Sequence, residues 1–358
     1  MDARSQRFWE LHDFAVGHGL EVGPLHRAIV TRDVADVSYV DVTDRDRLVA
    51  HYAGDPDVPP DSIPEIDFWL IDESGETRTL VEATKAGAPF DWVMASHVIE
   101  HVPDIIGWLG ELAEVVVDDG RLVLAVPDRR YEFDVHRPAS TVGQMLQAHE
   151  SGDQRPSVAA VYDHFSSAVR YDPRGVWEGR LPTFEDRIHT PDQARELLAR
   201  SLGGEYIDSH VWLLTPESFI HHLHELRVGG WSSWIVEKVI PTPTYELEFQ
   251  AVLRRLPRDA ETTGQVDGEI LPTYERPIWV TDIGSTSAGE ALAQRIEKLE
   301  ARLESKNDTL RQLRRKVRSQ RRKLQRLDGG ATPAPAATGL TGLTARARAA
   351  VRAFRTGR

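Results

Sequence analysis

Residues 90–103 read Phe90-Asp91-Trp92-Val93-Met94-Ala95-Ser96-His97-Val98-Ile99-Glu100-His101-Val102-Pro103, and residues 120–128 read Gly120-Arg121-Leu122-Val123-Leu124-Ala125-Val126-Pro127-Asp128. The first run is apolar up to Ser96 and then turns polar, as a buried strand ending in a polar cluster would. Between the runs a helix is expected from about Ile105 to Val116, and Asp118-Asp119-Gly120 should turn the chain into a second strand, Arg121 to Val126. Two buried strands joined by one helix make a parallel β-α-β unit. In an open α/β sheet, ligands sit at the ends where these polar residues gather.

The neighbouring sequence extends that unit on both sides. Upstream, residues 5–16 suggest a short helix, Gly19 to Gly23 a first strand with its turn, and Leu25 to Val30 the start of a helix. Val37 to Val42 alternates as a second strand and carries Asp41 near its end; Arg45 to Tyr52 is expected to be helical. Glu65 to Asp72 is the third strand candidate, with a hairpin-like turn into Thr77 to Val81. Downstream, helices are expected at Ser140–Glu150 and Ser157–Ser167. Thr190-Pro191 and Thr215-Pro216 each place a capping hydroxyl before a proline at the first helical position, predicting helices through Leu202 and over 216–228. His210 to Leu214 reads as a strand, and Ser233–Val239 with Tyr245–Leu253 as a closing pair.

Composition narrows the function classes. The chain has 358 residues, 41% of them apolar, enough for one large domain with extensions. It has no cysteine, which excludes disulfides, thiolate catalysis and cysteine-ligated zinc. No leader-like segment or 18-residue apolar run occurs, so a cytoplasmic location is expected, peripheral to the inner membrane face at most. The net charge of −13 is unevenly placed. Residues 291–358 carry 18 basic and 5 acidic residues, leaving 25 basic and 51 acidic residues in the body. Such a body repels nucleic acid, and no Asn-Pro-Pro-Tyr-type base-flipping motif is present.

Leu292, Ile296, Leu299, Leu303, Leu310, Leu313, Val317, Leu324 and Leu327 keep a 4-3 spacing, which predicts a coiled coil over 291–328 and with it a homodimer. Residues 329–358 are expected to be a flexible basic tail suited to an anionic membrane. Residues 257–290 read as a linker.

The block at 90–128, taken with Gly19-Leu20-Glu21-Val22-Gly23-Pro24, resembles the class I S-adenosylmethionine-dependent methyltransferases over roughly residues 10–255. His97-x-x-Glu100-His101 is closest to the type 11 branch, often associated with polysaccharide or sugar modification. The resemblance implies a Rossmann-like α/β sheet within residues 1–256, with a cap over 129–190. It implies S-adenosylmethionine at Glu21, Gly23, Asp41 (ribose), Asp67 (adenine edge), and Ala95, Ser96 and His97 beneath the methionyl group. The usual further glycines are replaced by Pro24-Leu25-His26-Arg27, so the loop departs from the pattern. No Gly-x-Gly-x-x-Gly is present, which argues against a dinucleotide.

Transfer to a hydroxyl needs alignment and a base. His97 and His101 are candidates for the base, and Asp128, Asp134 and His136 for the acceptor side. A divalent metal on such carboxylates would activate a hydroxyl, although no compact metal motif is present, and His221, His222 and His224 read as part of a packed helix. The resemblance thus implies O-methylation of a glycan or lipid-linked sugar. The alternative is a methyltransferase-like scaffold without turnover that dimerises at an anionic surface.

Overall fold

The computed structural model describes residues 3–258, 260 and 263–273. Seven strands form one sheet in the order β3-β2-β1-β4-β5-β7-β6. They are β1 (His18–Val22), β2 (Asp36–Asp41), β3 (Phe68–Trp69), β4 (Phe90–Ser96), β5 (Val116–Pro127), β6 (Trp234–Ile240) and β7 (Glu248–Arg255). β1 to β5 run parallel, while β7 is antiparallel to both its neighbours. The order reverses at β1 and β4, so the crevice of a doubly wound sheet opens above their C-terminal ends.

The strands at the centre are apolar on both faces because both faces are covered. Leu20, Val22, Val93, Ala95, Leu122 and Leu124 pack on one side against α3 (Leu80–Thr84), α4 (Ile105–Val115), α5 (Val142–Ser151) and α9 (Pro216–Val228). Tyr39, Trp92, Met94 and Val123 pack on the other against α1 (Ala3–Leu11), α2 (Arg45–His51) and the segment 25–35. Gly19 makes this second layer possible, since a Cβ there would fall 2.1 Å from the Trp92 ring. The cap contributes α6 (Val158–Ser167), α7 (Pro173–Trp177) and α8 (Pro191–Leu202). Thr190 and Thr215 cap α8 and α9 with Pro191 and Pro216 in the first turn.

Four expectations change. Leu25 to Val30 is not helical: Leu25 has a positive φ of 39°, and the Glu21 carboxylate takes the N–H groups of Ile29 and Val30, fixing a turn instead. β3 is regular over only two residues; Leu70 and Ile71 N–H still donate to Asp41 O and Val42 O, at 3.0 and 2.8 Å, while Ile71 also bridges Thr77. β5 begins earlier, at Val116, and Asp118-Asp119-Gly120 is absorbed as an irregularity within the strand. His210 to Leu214 is no strand; it makes a single bridge, Leu214 to Asp128. Beyond β7, Glu269 binds Arg227 at 2.7 and 2.9 Å and Ile270 N–H reaches Val236 O, so residues 264–270 lie along α9 and β6. The coiled coil and the tail lie outside the described residues.

Candidate active site

The parallel register sets the crevice. Val22 faces Val40 of β2 and Ala95 of β4, so Gly23, Asp41 and Ser96 form the next row, at the C-terminal edge. Gly23 has φ +63°, a conformation that glycine adopts without strain, and its N–H donates to Val40 O at 2.9 Å. Asp41 is buried; its Oδ1 accepts the Val42 N–H at 2.7 Å, and burial raises its pKa. Glu21 lies one step back and is sealed from solvent, with its two oxygens on the N–H groups of Ile29 and Val30 at 2.7 and 2.9 Å. Burial, only partly offset by these bonds, lifts it to about 7. Glu21 therefore shapes the loop that walls the crevice.

At the end of β4 the backbone of His97 enters the left-handed region, φ 55°, and carries its ring between two carboxylates. Nε2 donates to Glu248 at 2.7 Å, and Nδ1 faces Glu100 at 3.4 Å. Burial works against charging this ring, yet Glu100 and Glu248 outweigh it and lift His97 to about 9. Arg4 from α1 closes the same knot, donating to Ser96 Oγ at 2.6 Å and to both Glu248 oxygens at 2.7 and 2.8 Å. One turn further, Nδ1 of His101 pairs with Asp208 at 2.8 Å and Nε2 stands 3.9 Å from Glu100. His210 meets His101 edge-on, with ring centroids 4.7 Å apart, and binds Asp134 through Nδ1 at 2.6 Å.

A family profile described as a methyltransferase domain matches residues 6–225. The chain belongs to this family. It is an S-adenosylmethionine-dependent methyltransferase with a Rossmann-like class I fold. No curated protein matches it. Among solved structures it is similar to one described as a zinc-dependent alcohol dehydrogenase from Rhodobacter sphaeroides, at 17% identity, covering 71% of this chain and 89% of the other, TM-score 0.39. It is also similar to an S-adenosylmethionine-dependent methyltransferase from Mesorhizobium loti, at 13% identity, covering 70% and 96%, TM-score 0.34. The N-methyltransferase NodS from Bradyrhizobium japonicum is similar at 10% identity, covering 71% and 95%, TM-score 0.30. These likenesses are distant.

Several site residues of the methyltransferase do other work than their sequence position suggests. His97 is held charged at neutral pH, which removes it as a resting base. Asp128 is fully buried, taking Arg130 in a two-pronged pair at 2.7 and 2.8 Å and the Thr242 hydroxyl at 2.7 Å; it latches the strand end. Asp134 is also sealed, between Arg137 at 2.8 Å and His210, and although burial opposes its charge these partners hold it at about 2. It orients His210. His136 points away to Pro182 O at 3.0 Å and stacks on Phe184. Asp67 accepts Arg32 at 2.5 Å and Tyr39 N–H at 2.7 Å, below the strand ends, and lines an edge cavity of about 490 Å³ with Trp69, Asp72 and Arg78. Asp72, at the end of the Glu65–Asp72 stretch, accepts the Ser74 and Glu76 N–H groups through its carboxylate.

Sequence reading missed Arg4, Asp208, His210 and Glu248 as site residues. Arg4 and Glu248 are 244 residues apart, and no local periodicity signals that they meet. Asp208 and His210 lie on irregular chain, where the only signal is two titratable residues at alternate positions.

Proposed function

We propose that this methyltransferase acts on a hydroxyl of a glycan or lipid-linked sugar, in the manner of the sugar-modifying branch its His-x-x-Glu-His segment resembles. The residues along the crevice fit the cofactor. Gly23 lets the backbone approach, and the buried carboxylate of Asp41 gains from a ribose diol that donates to it. Ala95, Ser96 and His97 form the floor for the methionyl portion. S-adenosylmethionine supplies an electrophilic methyl group; the chain's own task is alignment, with a place for the proton that leaves the acceptor. That place is His101, backed by Glu100 and Asp208, rather than the rings of His97 and His210, which neighbouring acids lift to about 9 and about 10 and so hold charged.

The observation that carries this reading is the continuity of the two ends: the Gly23, Asp41 and Ser96 row leads through His97 directly to a cluster of carboxylates and imidazoles. Such a rim accepts hydrogen bonds from hydroxyl groups. The arginines of the 129–137 segment do not favour an anion: Arg130 is spent on Asp128, Arg137 on Asp134, and Arg129 on the Arg137 carbonyl. The reading includes a homodimer through residues 291–328 and contact of the basic tail with an anionic membrane surface. No helix among the described residues is long and apolar enough to cross a membrane.

The test is transfer of labelled methyl from S-adenosylmethionine by the full chain to free and lipid-linked oligosaccharides. Label recovered on an O-methyl sugar after hydrolysis of the glycan marks an ether and supports the proposal. Label confined to amine or carboxylate acceptors refutes it, and cofactor binding without transfer to any of them would favour a scaffold.

A further inference from the structure

Glu100 is almost sealed from solvent, at 1% exposure, yet neither of its carboxylate oxygens makes a hydrogen bond among the described residues. The nearest imidazole nitrogens are Nδ1 of His97 at 3.4 Å and Nε2 of His101 at 3.9 Å. Surrounding imidazoles offset its burial and hold its pKa below the ordinary value, but its oxygens keep lone pairs that no donor at hydrogen-bond geometry fills. The surroundings repeat one pattern. His101 gives Nδ1 to Asp208 at 2.8 Å and His210 gives Nδ1 to Asp134 at 2.6 Å, which leaves Nε2 of both rings for another partner. One donor atom from each of Glu100, His101 and His210 lies within 4.8 Å of the other two. Carboxylates that fix Nδ1 of a ring and turn its Nε2 inward are the usual outer support of histidine metal ligands. The neighbouring trio Glu132, Asp134 and His210 is less open, since Arg137 already neutralises Asp134 at 2.8 Å.

We propose that Glu100, His101 and His210 form a binding site for one divalent transition-metal ion. Two imidazoles and one carboxylate suit zinc or another first-row ion and leave coordination positions open. Asp208 and Asp134 hold the two rings in place from behind. An ion there would sit at the acceptor end of the crevice and take over from His101, holding the hydroxyl oxygen at an open position and lowering its pKa so that the proton passes to solvent. This purpose rests on the methyl-transfer reading; the binding of the ion does not.

The full chain, stripped with a chelator, is titrated with Zn²⁺ alone against a chromophoric competitor, and Co²⁺ is followed by its visible absorption. One tight ion per chain is expected. Glu100→Gln and His101→Ala should abolish it, while His136→Ala should leave it unchanged. Because the buried site could lose its fold when altered, Asp208→Asn, at an exposed carboxylate, gives a second measure: affinity should fall about 10- to 100-fold with the melting temperature kept. Absence of a stoichiometric ion, or an ion that survives both Glu100→Gln and His101→Ala, overturns the proposal. S-adenosylmethionine binding, measured separately on the same protein, keeps failure of the metal site distinct from failure of the methyltransferase reading.

Discussion

Glu21 carries the clearest pH signature at the residue scale. A carboxylate closed in by the sheet and bonded to two backbone N–H groups still resists ionisation, and its pKa of about 7 stands above the ordinary value of 4.5. The folded state thus holds this proton more tightly than the unfolded chain. The associated stability is fully present below pH 4.5 and is lost as pH climbs through about 7. Relative to Glu21→Gln, the wild-type protein should lose roughly 3 kcal/mol across that window, read from urea unfolding at a series of pH values. Parallel stability profiles for the two proteins would show that the carboxylate is already charged when folded. His97 moves the other way in chemical character: the same burial is overcome by two acids, so a residue that looks like a base from its spacing is a cation in place.

Among the elements, the caps were the most legible part of the chain. Thr-Pro before a helix encodes a hydroxyl that can take an N–H and a φ already set for the first turn, and both α8 and α9 begin where those pairs stand. Thr215 is fully buried and accepts the Ser218 N–H at 3.2 Å while its own N–H donates to Ser218 Oγ at 2.9 Å. Thr215→Ala should cost about 1–2 kcal/mol and the exposed Thr190→Ala about 0.5–1, compared by denaturant midpoint; equal, negligible losses would contradict the cap assignment. Strands were legible where both faces are buried, as in β4, because their apolar runs are unbroken. The loop at 25–30 was not, since its turn depends on the Glu21 side chain, which no helical periodicity reveals. The acceptor end was only half legible for the same reason. His97, Glu100 and His101 are neighbours in sequence, but Glu248, His210 and Arg4 reach them from β7, from the irregular chain after α8 and from α1 through tertiary contacts alone.

At the scale of the whole molecule, the sequence divides into an acidic body and a basic end. The heptad pattern over 291–328 predicts a dimer by sedimentation for the full chain and a monomer for a chain stopped at residue 290; a monomer in both would remove the coiled coil from the account. The body's own organisation rests on the register that brings Gly23, Asp41 and Ser96 into one row. Calorimetric titration of the full chain with S-adenosylmethionine tests that directly. One cofactor per chain is predicted, with affinity falling at least about tenfold, or about 1.4 kcal/mol, in Asp41→Ala at an unchanged melting temperature. No binding at millimolar cofactor, or equal binding by Asp41→Ala, would contradict it.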